Sequence, residues 1–241
     1  MVALLGHRGL VLNAVHLAFV CSILRSMVHE TELGSALAFY AAYHQDPINQ
    51  AIHFVFVPTL LYSFMVYFAH FPALGFSIAL PGGTAEEPHL LTYATLIPCV
   101  YAAYYCYLDP FSGWAQLYGI IGFLMYASVV HLVMADRRTA RKKSDGTVSW
   151  AGTGRPLKLA AVLQVLGWYM QVHPGHAVFE GVKPALFDSL GQSLSVAPLF
   201  AFYEGLWALG LQADLHNTTA ALVAERRAAM CAGGGAFAFC S

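Results

Sequence analysis

Five stretches of this chain run without a single Asp, Glu, Lys or Arg: residues 51–69, 90–108, 114–134, 159–172 and 189–203. The second and third have the ~20 apolar residues that carry an α-helix across a bilayer core, and the first does too if His53 is neutral. A further apolar run, residues 10–24, lies between Arg8 and Arg25. It has no small-x-small cleavage site and reads as a signal-like segment or an additional membrane helix. Acidic Glu30 and Glu32 open a helix that should run to about His44, favoured by the helix dipole. Asp46-Pro47 then ends it and starts the next, with Asp as N-cap and Pro at N1. Residues 71–88 form a Gly/Pro loop, and Asp109 to Gly113 is so short that its flanking spans should form an antiparallel hairpin. The pattern predicts an all-α, polytopic helical membrane protein of about five to seven helices. Residues 1–30 are an N-terminal extension, 31–212 the helical membrane domain and 213–241 a flexible C-terminal tail.

Composition strengthens the membrane reading. Of 241 residues, 58% are hydrophobic and only 10% charged, with a mean hydropathy of +0.59, whereas soluble domains carry roughly 25% charged residues. A net charge of −1 and a pI near 6.8 give no reason to expect a nucleic-acid partner. The five cysteines (Cys21, Cys99, Cys106, Cys231, Cys240) contain no CxxC pair and read as free thiols, without a disulfide framework or zinc ribbon. The basic cluster Arg137 to Lys143 places its loop on the cytoplasmic side. Alternation puts Asn217-Thr-Thr219 on that side as well, where a glycosylation acceptor stays unmodified.

The polar residues inside this apolar chain fall into two clusters. One is Tyr43-His44-Gln45-Asp46-Pro47-Ile48-Asn49, reaching His53; the other is Gln171-Val172-His173-Pro174-Gly175-His176, reaching Glu180 and Lys183. Both sit at helix breaks. Counting spans brings them to the same face, away from the basic loop, where they can converge on one metal. If a helix restarts at His176, Glu180 lies one turn on, at a spacing that lets imidazole and carboxylate share an ion. Buried imidazoles need partners, since an unpaired polar group costs ~1 to 3 kcal/mol. Imidazole and oxygen donors suit non-haem iron or zinc. Glu204, a lone carboxylate between the apolar run 189–203 and Leu206-Trp207, is either part of the site or a protonated structural acid. His7, His16, His29 and His131 have no neighbours to act with and read as structural. No GxGxxG, Walker or GxSxG sequence supports a nucleotide or serine-hydrolase chemistry.

The two clusters also carry a likeness. Phe39-Tyr40, Tyr43-His44, Pro47, Asn49, Ile52-His53 and Phe56-Val57-Pro58 resemble the fungal 2-hydroxy-fatty-acid (2-hydroxypalmitate) dioxygenase family, as do Gly167-Trp168, Gln171, Gly175-His176, Phe179-Glu180, Lys183-Pro184-Ala185-Leu186, Gln192, Ala197-Pro198 and Glu204. The match runs from about Glu32 to Leu211. It implies a multi-pass enzyme of the endoplasmic-reticulum membrane, acting in phytosphingosine breakdown. That enzyme would use Fe(II) and O2 to convert a 2-hydroxy fatty acid to the acid one carbon shorter plus CO2. No reductase partner is expected. By this likeness His44, His53 and His176 would hold the iron, with His173 as a fourth ligand. Asn49, Gln171 and Glu180 would orient them, and Lys183 would meet the substrate carboxylate. Two departures stand out: the stretch from Gln171 to Gly175-His176 is one residue longer than the family's spacing, and Gln164 stands where relatives carry a histidine. The same ligands could serve a zinc-dependent membrane lipid hydrolase, and a non-catalytic scaffold or transporter could use them as hydrogen-bond groups.

Overall fold

The computed structural model describes residues 7–27, 31–70, 92–143, 152–233 and 240. The loop expected at 71–88 and most of the polar loop following the basic cluster lie outside the described residues. Among those described, the chain is all helix and has no strand. Eight α-helices follow in order: α1 (His7–Met27), α2 (Leu33–Ala41), α3 (Pro47–Phe68), α4 (Tyr93–Leu108), α5 (Trp114–Lys143), α6 (Arg155–Met170), α7 (Leu190–Ala208) and α8 (Ala213–Ala232). A π-helix, Gln171–Glu180, and a short 3-10 turn, Ala185–Phe187, join α6 to α7.

Local chemistry sets the boundaries. The Asp46 carboxylate accepts from the Ile48 and Asn49 amides, capping α3 as the Asp-Pro signal predicts. Thr92 and Thr95 form a capping box that starts α4. Asp109 ends α4 and accepts from the Ser112 amide, the Ser112 hydroxyl and Tyr203 of α7, fixing the tight turn into α5.

Helix α3 is the hub, packed against α6, the π-helix, α7, α4 and α5. One buried core joins α2, α7 and α8 around Leu37, Tyr40, Leu199, Phe200 and Tyr203. A second joins α3, α4 and α5 around Met65, Val66, Tyr93, Val129 and Val133. Fully burying each large side chain contributes about 1.5 to 3 kcal/mol. Helices α3 and α5 are long and apolar enough to cross a membrane, and the outer surfaces of α5 and α6 expose Ile120, Leu124, Val162 and Val165.

Three expectations need correction. Among the described residues there are eight α-helices rather than about five to seven, because 213–232 is helical too. Residues 213–232, expected to be a flexible tail, form α8: the segment is rich in helix-favouring alanine, buries Thr219 and Val223 and packs on α2. The cysteines are not all free thiols, since α8 holds Cys231 in its last turn against Cys240 and the two form a disulfide. A CxxC search cannot see that pairing. Cys21, Cys99 and Cys106 are free.

Candidate metal centre

His44 stands in the turn between α2 and α3, three residues past the end of α2. Its Nδ1 lies 2.7 Å from the Tyr40 carbonyl oxygen, one turn back, and its ring stacks on that of Tyr40 at 4.1 Å. His53 repeats the arrangement inside α3, with Nδ1 2.9 Å from the Asn49 carbonyl oxygen. A carbonyl can only accept, so in both rings Nδ1 carries the proton and Nε2 keeps its lone pair. This is how a metal-ligating histidine is usually held in orientation. His176, from the π-helix, completes a triangle with ring centroids 4.4, 4.7 and 5.1 Å apart. One nitrogen from each ring lies within 4.8 Å of the others, and all three residues are buried.

Two of these nitrogens, His44 Nε2 and His176 Nδ1, are buried with no hydrogen-bond partner. Leaving them so costs about 1 to 3 kcal/mol each. Burial, with the neighbouring His53 and His176, holds His44 well below the usual histidine range. Burial, then His53, brings His176 down to about 3. These rings therefore stay neutral at physiological pH, the form that ligates metal. The donor set fits a divalent transition ion.

Glu180 does not join the triangle. Its carboxylate instead accepts from the Gln45 amide (2.9 Å), the Asp46 amide (2.8 Å) and Asn49 Nδ2 (3.0 Å), while Arg227 Nη2 of α8 lies 3.5 Å away. It thus ties the π-helix that carries His176 to the turn that carries His44 and to the residue that orients His53. Arg227 also donates from Nε to the Ala42 carbonyl at 2.9 Å. Asn49 Oδ1 packs on Gly175, where an added Cβ would stand 2.5 Å from it. Only glycine allows that approach.

The other predicted residues divide. Gln171 is buried, donates to the Gly167 carbonyl at 3.2 Å and lines the main cavity. His173, expected as a fourth ligand, is exposed and stacks on Tyr169 at 5.4 Å. Three residues are well short of a turn with i→i+5 bonding, so it points away from His176. Lys183, expected at the substrate carboxylate, is half exposed, pairs with Asp188 at 2.5 Å and does not line the cavity; Asp188 also accepts from Tyr43 at 2.7 Å. Glu204 is buried on α7 with both carboxylate oxygens unpaired, and burial first, then the field of Glu180, raises its pKa well above the usual range. Gln164 donates to the Leu60 carbonyl and Ser63 and accepts from Trp168 Nε1, pinning α6 to α3. His131 is exposed on α5. His16 is buried and bonds Tyr67.

Sequence reading missed Arg227 and Ser193. Arg227 lies past the last apolar run, where no motif marked it; Ser193, whose buried hydroxyl has no partner and faces the cavity, was assigned no role. That cavity starts at His53, His176, Gln171 and Tyr40 and runs between α1, α3, α4, α6 and α7. Its volume is about 100 Å³ and its lining is mostly apolar with a few convergent polar groups, the usual make-up of a small-molecule pocket.

No solved structure matches this chain. It is 32% identical over 187 residues to the 2-hydroxy-palmitic acid dioxygenase MPO1 of Saccharomyces cerevisiae, covering 78% of this chain and 87% of that protein. Residues 30–206, which hold every member of the triangle, match the family model described as 2-hydroxy-palmitic acid dioxygenase Mpo1-like. With that much of its length matched, the chain belongs to the Mpo1-like family.

Proposed function

We propose that the protein is an Fe(II)-dependent dioxygenase of the endoplasmic-reticulum membrane that shortens 2-hydroxy fatty acids by one carbon. One observation supports this most directly: three clustered imidazoles, two with buried unpartnered nitrogens, adjoin an apolar cavity that His53 and His176 line. His44, His53 and His176 hold the iron. Bound Fe(II) supplies Lewis acidity and a template for O2 and an oxygen-bearing head group. Glu180 and Asn49 fix the spacing of the three rings through the hydrogen bonds described above. Gln171 and Ser193 are the uncharged polar groups that the cavity offers the hydroxy-acid head. The walls exclude water from the acyl chain and the rings alike. Lys183, held by Asp188, stands outside this arrangement. Two helices of membrane-crossing length support residence in a bilayer, the medium in which a long-chain acid is dissolved.

The reaction balances without a reductase. A 2-hydroxy acid and one O2 give the acid one carbon shorter, CO2 and water: the bond between C1 and C2 breaks and the substrate supplies all four electrons. The test is O2 consumed against shortened acid formed by anaerobically purified protein with Fe(II) and 2-hydroxypalmitate. A ratio near one with no added NAD(P)H or 2-oxo acid is expected. Turnover that requires a stoichiometric reductant, or tightly bound zinc with ester hydrolysis, would sink the proposal.

A further inference from the structure

Helix α1 lies before residue 30 and so outside the region matched by the family, yet it forms part of the cavity. His16, Phe19, Val20, Ile23 and Met27 make one stripe at helical spacing, the inward face of α1. Val11, Val15 and Leu24, off that stripe, are exposed.

Polar contacts fix this stripe at both ends. At one end His16 bonds the Tyr67 hydroxyl at 3.2 Å and sits among the rings of Tyr67, Phe68 and Tyr93, and Tyr93 donates to Asn13 at 3.0 Å. At the other Ser26 meets Ser195 at 3.3 Å, and α7 comes so close that a Cβ on Gly191 would stand 2.8 Å from Ser26 Cβ. Between these anchors Phe19 and Ile23 face the cavity.

Phe19 stands at the end remote from the histidines. Its ring centroid is 6.3 Å from that of Phe64 and 6.2 Å from that of Phe68. Those residues come 11 and 15 positions after His53 on the same helix, or about 16 to 22 Å along its axis. One leaflet of a bilayer's ~30 Å core, and so one long acyl chain, has that scale. Phe19 also borders a small second apolar space of about 30 Å³ between α1 and α4, and with Ile23, Phe68, Ile97 and Tyr101 it is one of five side chains that line both.

We infer that α1 is a built-in wall of the acyl cavity and that Phe19, packed against Phe64 and stacked on Phe68, sets the length of chain the protein accepts. The head-group chemistry rests on the dioxygenase reading; the wall does not. The experiment measures binding of fatty acids of 12 to 26 carbons, in 2-hydroxy and unsubstituted series, by displacement of a fluorescent acyl probe from the full-length protein. Turnover of the 2-hydroxy series is measured alongside. Phe19→Ala opens the second space and should move the optimum to longer chains in both series, raising the long-to-short affinity ratio about tenfold for two added methylenes. Phe19→Trp should move it the other way, and Leu17→Ala, on the exposed side of α1, should leave it in place. The opposite shifts in the two Phe19 variants exclude a simple loss of fold. A shift with unsubstituted acids but no turnover of 2-hydroxy acids keeps the wall and removes the dioxygenase. One length profile shared by wild type, Phe19→Ala and Phe19→Trp, or no length dependence in the wild type, overturns the wall.

Discussion

The two helix breaks that supply the three histidines are built in opposite ways. The break at His44 to His53 is made of local parts: a carboxylate N-cap, a proline at N1, and two rings each tethered to a carbonyl one turn back. The break at Gln171 to Glu180 is wound as a π-helix around Pro174, and the His176 ring meets the Val182 backbone six residues on instead of a carbonyl one turn back. What holds the second in place is the first, through the Glu180 carboxylate. One half of the site is preorganised by its own sequence and the other by long-range contact.

The sharpest way to break that comparison is to remove the ligands. His44→Ala, His53→Ala and His176→Ala should each abolish iron binding and turnover, whereas His173→Ala, on the same π-helix as His176, should retain both; metal content of purified protein decides. Iron at full occupancy in two of the three variants would remove the assignment. Next comes the link between the halves. Glu180→Gln keeps the volume but withdraws the charge that gathers two amides, Asn49 and Arg227, and should lower metal affinity about 10- to 100-fold. An unchanged affinity would mean that the π-helix holds itself.

The third test is pH. His44 and His176 have pKa values below that of a free histidine, chiefly through burial, so the unfolded chain binds more protons than the native one once the pH falls below about 6.5. Stability of the metal-free protein should therefore be full above that pH. It should decline down to about 3, by up to about 1.4 kcal/mol per pH unit for each ring. Denaturant midpoints between pH 7 and 5 check the sign; a midpoint that rises on acidification would contradict it. The smallest effects separate the breaks locally. Gly175→Ala forces a methyl against Asn49 and should cost about 1 to 3 kcal/mol, and Asp46→Ala, which removes only the cap, about 1 kcal/mol. Thermal denaturation ranks the two.

What was legible in the sequence follows the same division. Asp46-Pro47, the polar step from Asn49 to His53 and the charge-free runs are local signals, and α3 begins and ends where they say. The convergence of the two clusters was legible because both placed polar, ligating side chains at breaks in an apolar chain. The winding of Gln171 to Glu180 was not legible: its i→i+5 bonds bring His176 to the triangle while His173 turns outward. The role of Glu180 was read only in part: its spacing from His176 suggested a shared ion, and its actual partners lie more than a hundred positions away. Helix α8 was illegible because its stability comes from alanine propensity and from docking on α2, neither of which gives an apolar run.

Arg227 lies beyond residue 206, where the family match ends, and α1 lies before it begins. The conserved-looking segment is therefore not a transplantable module. A chimera that grafts residues 30–206 onto foreign ends would carry every ligand yet lose the guanidinium behind Glu180 and the helix that closes the acyl cavity. In this chain both flanks pack against the surroundings of the three histidines, α8 through Arg227 and Glu180 and α1 along the apolar cavity.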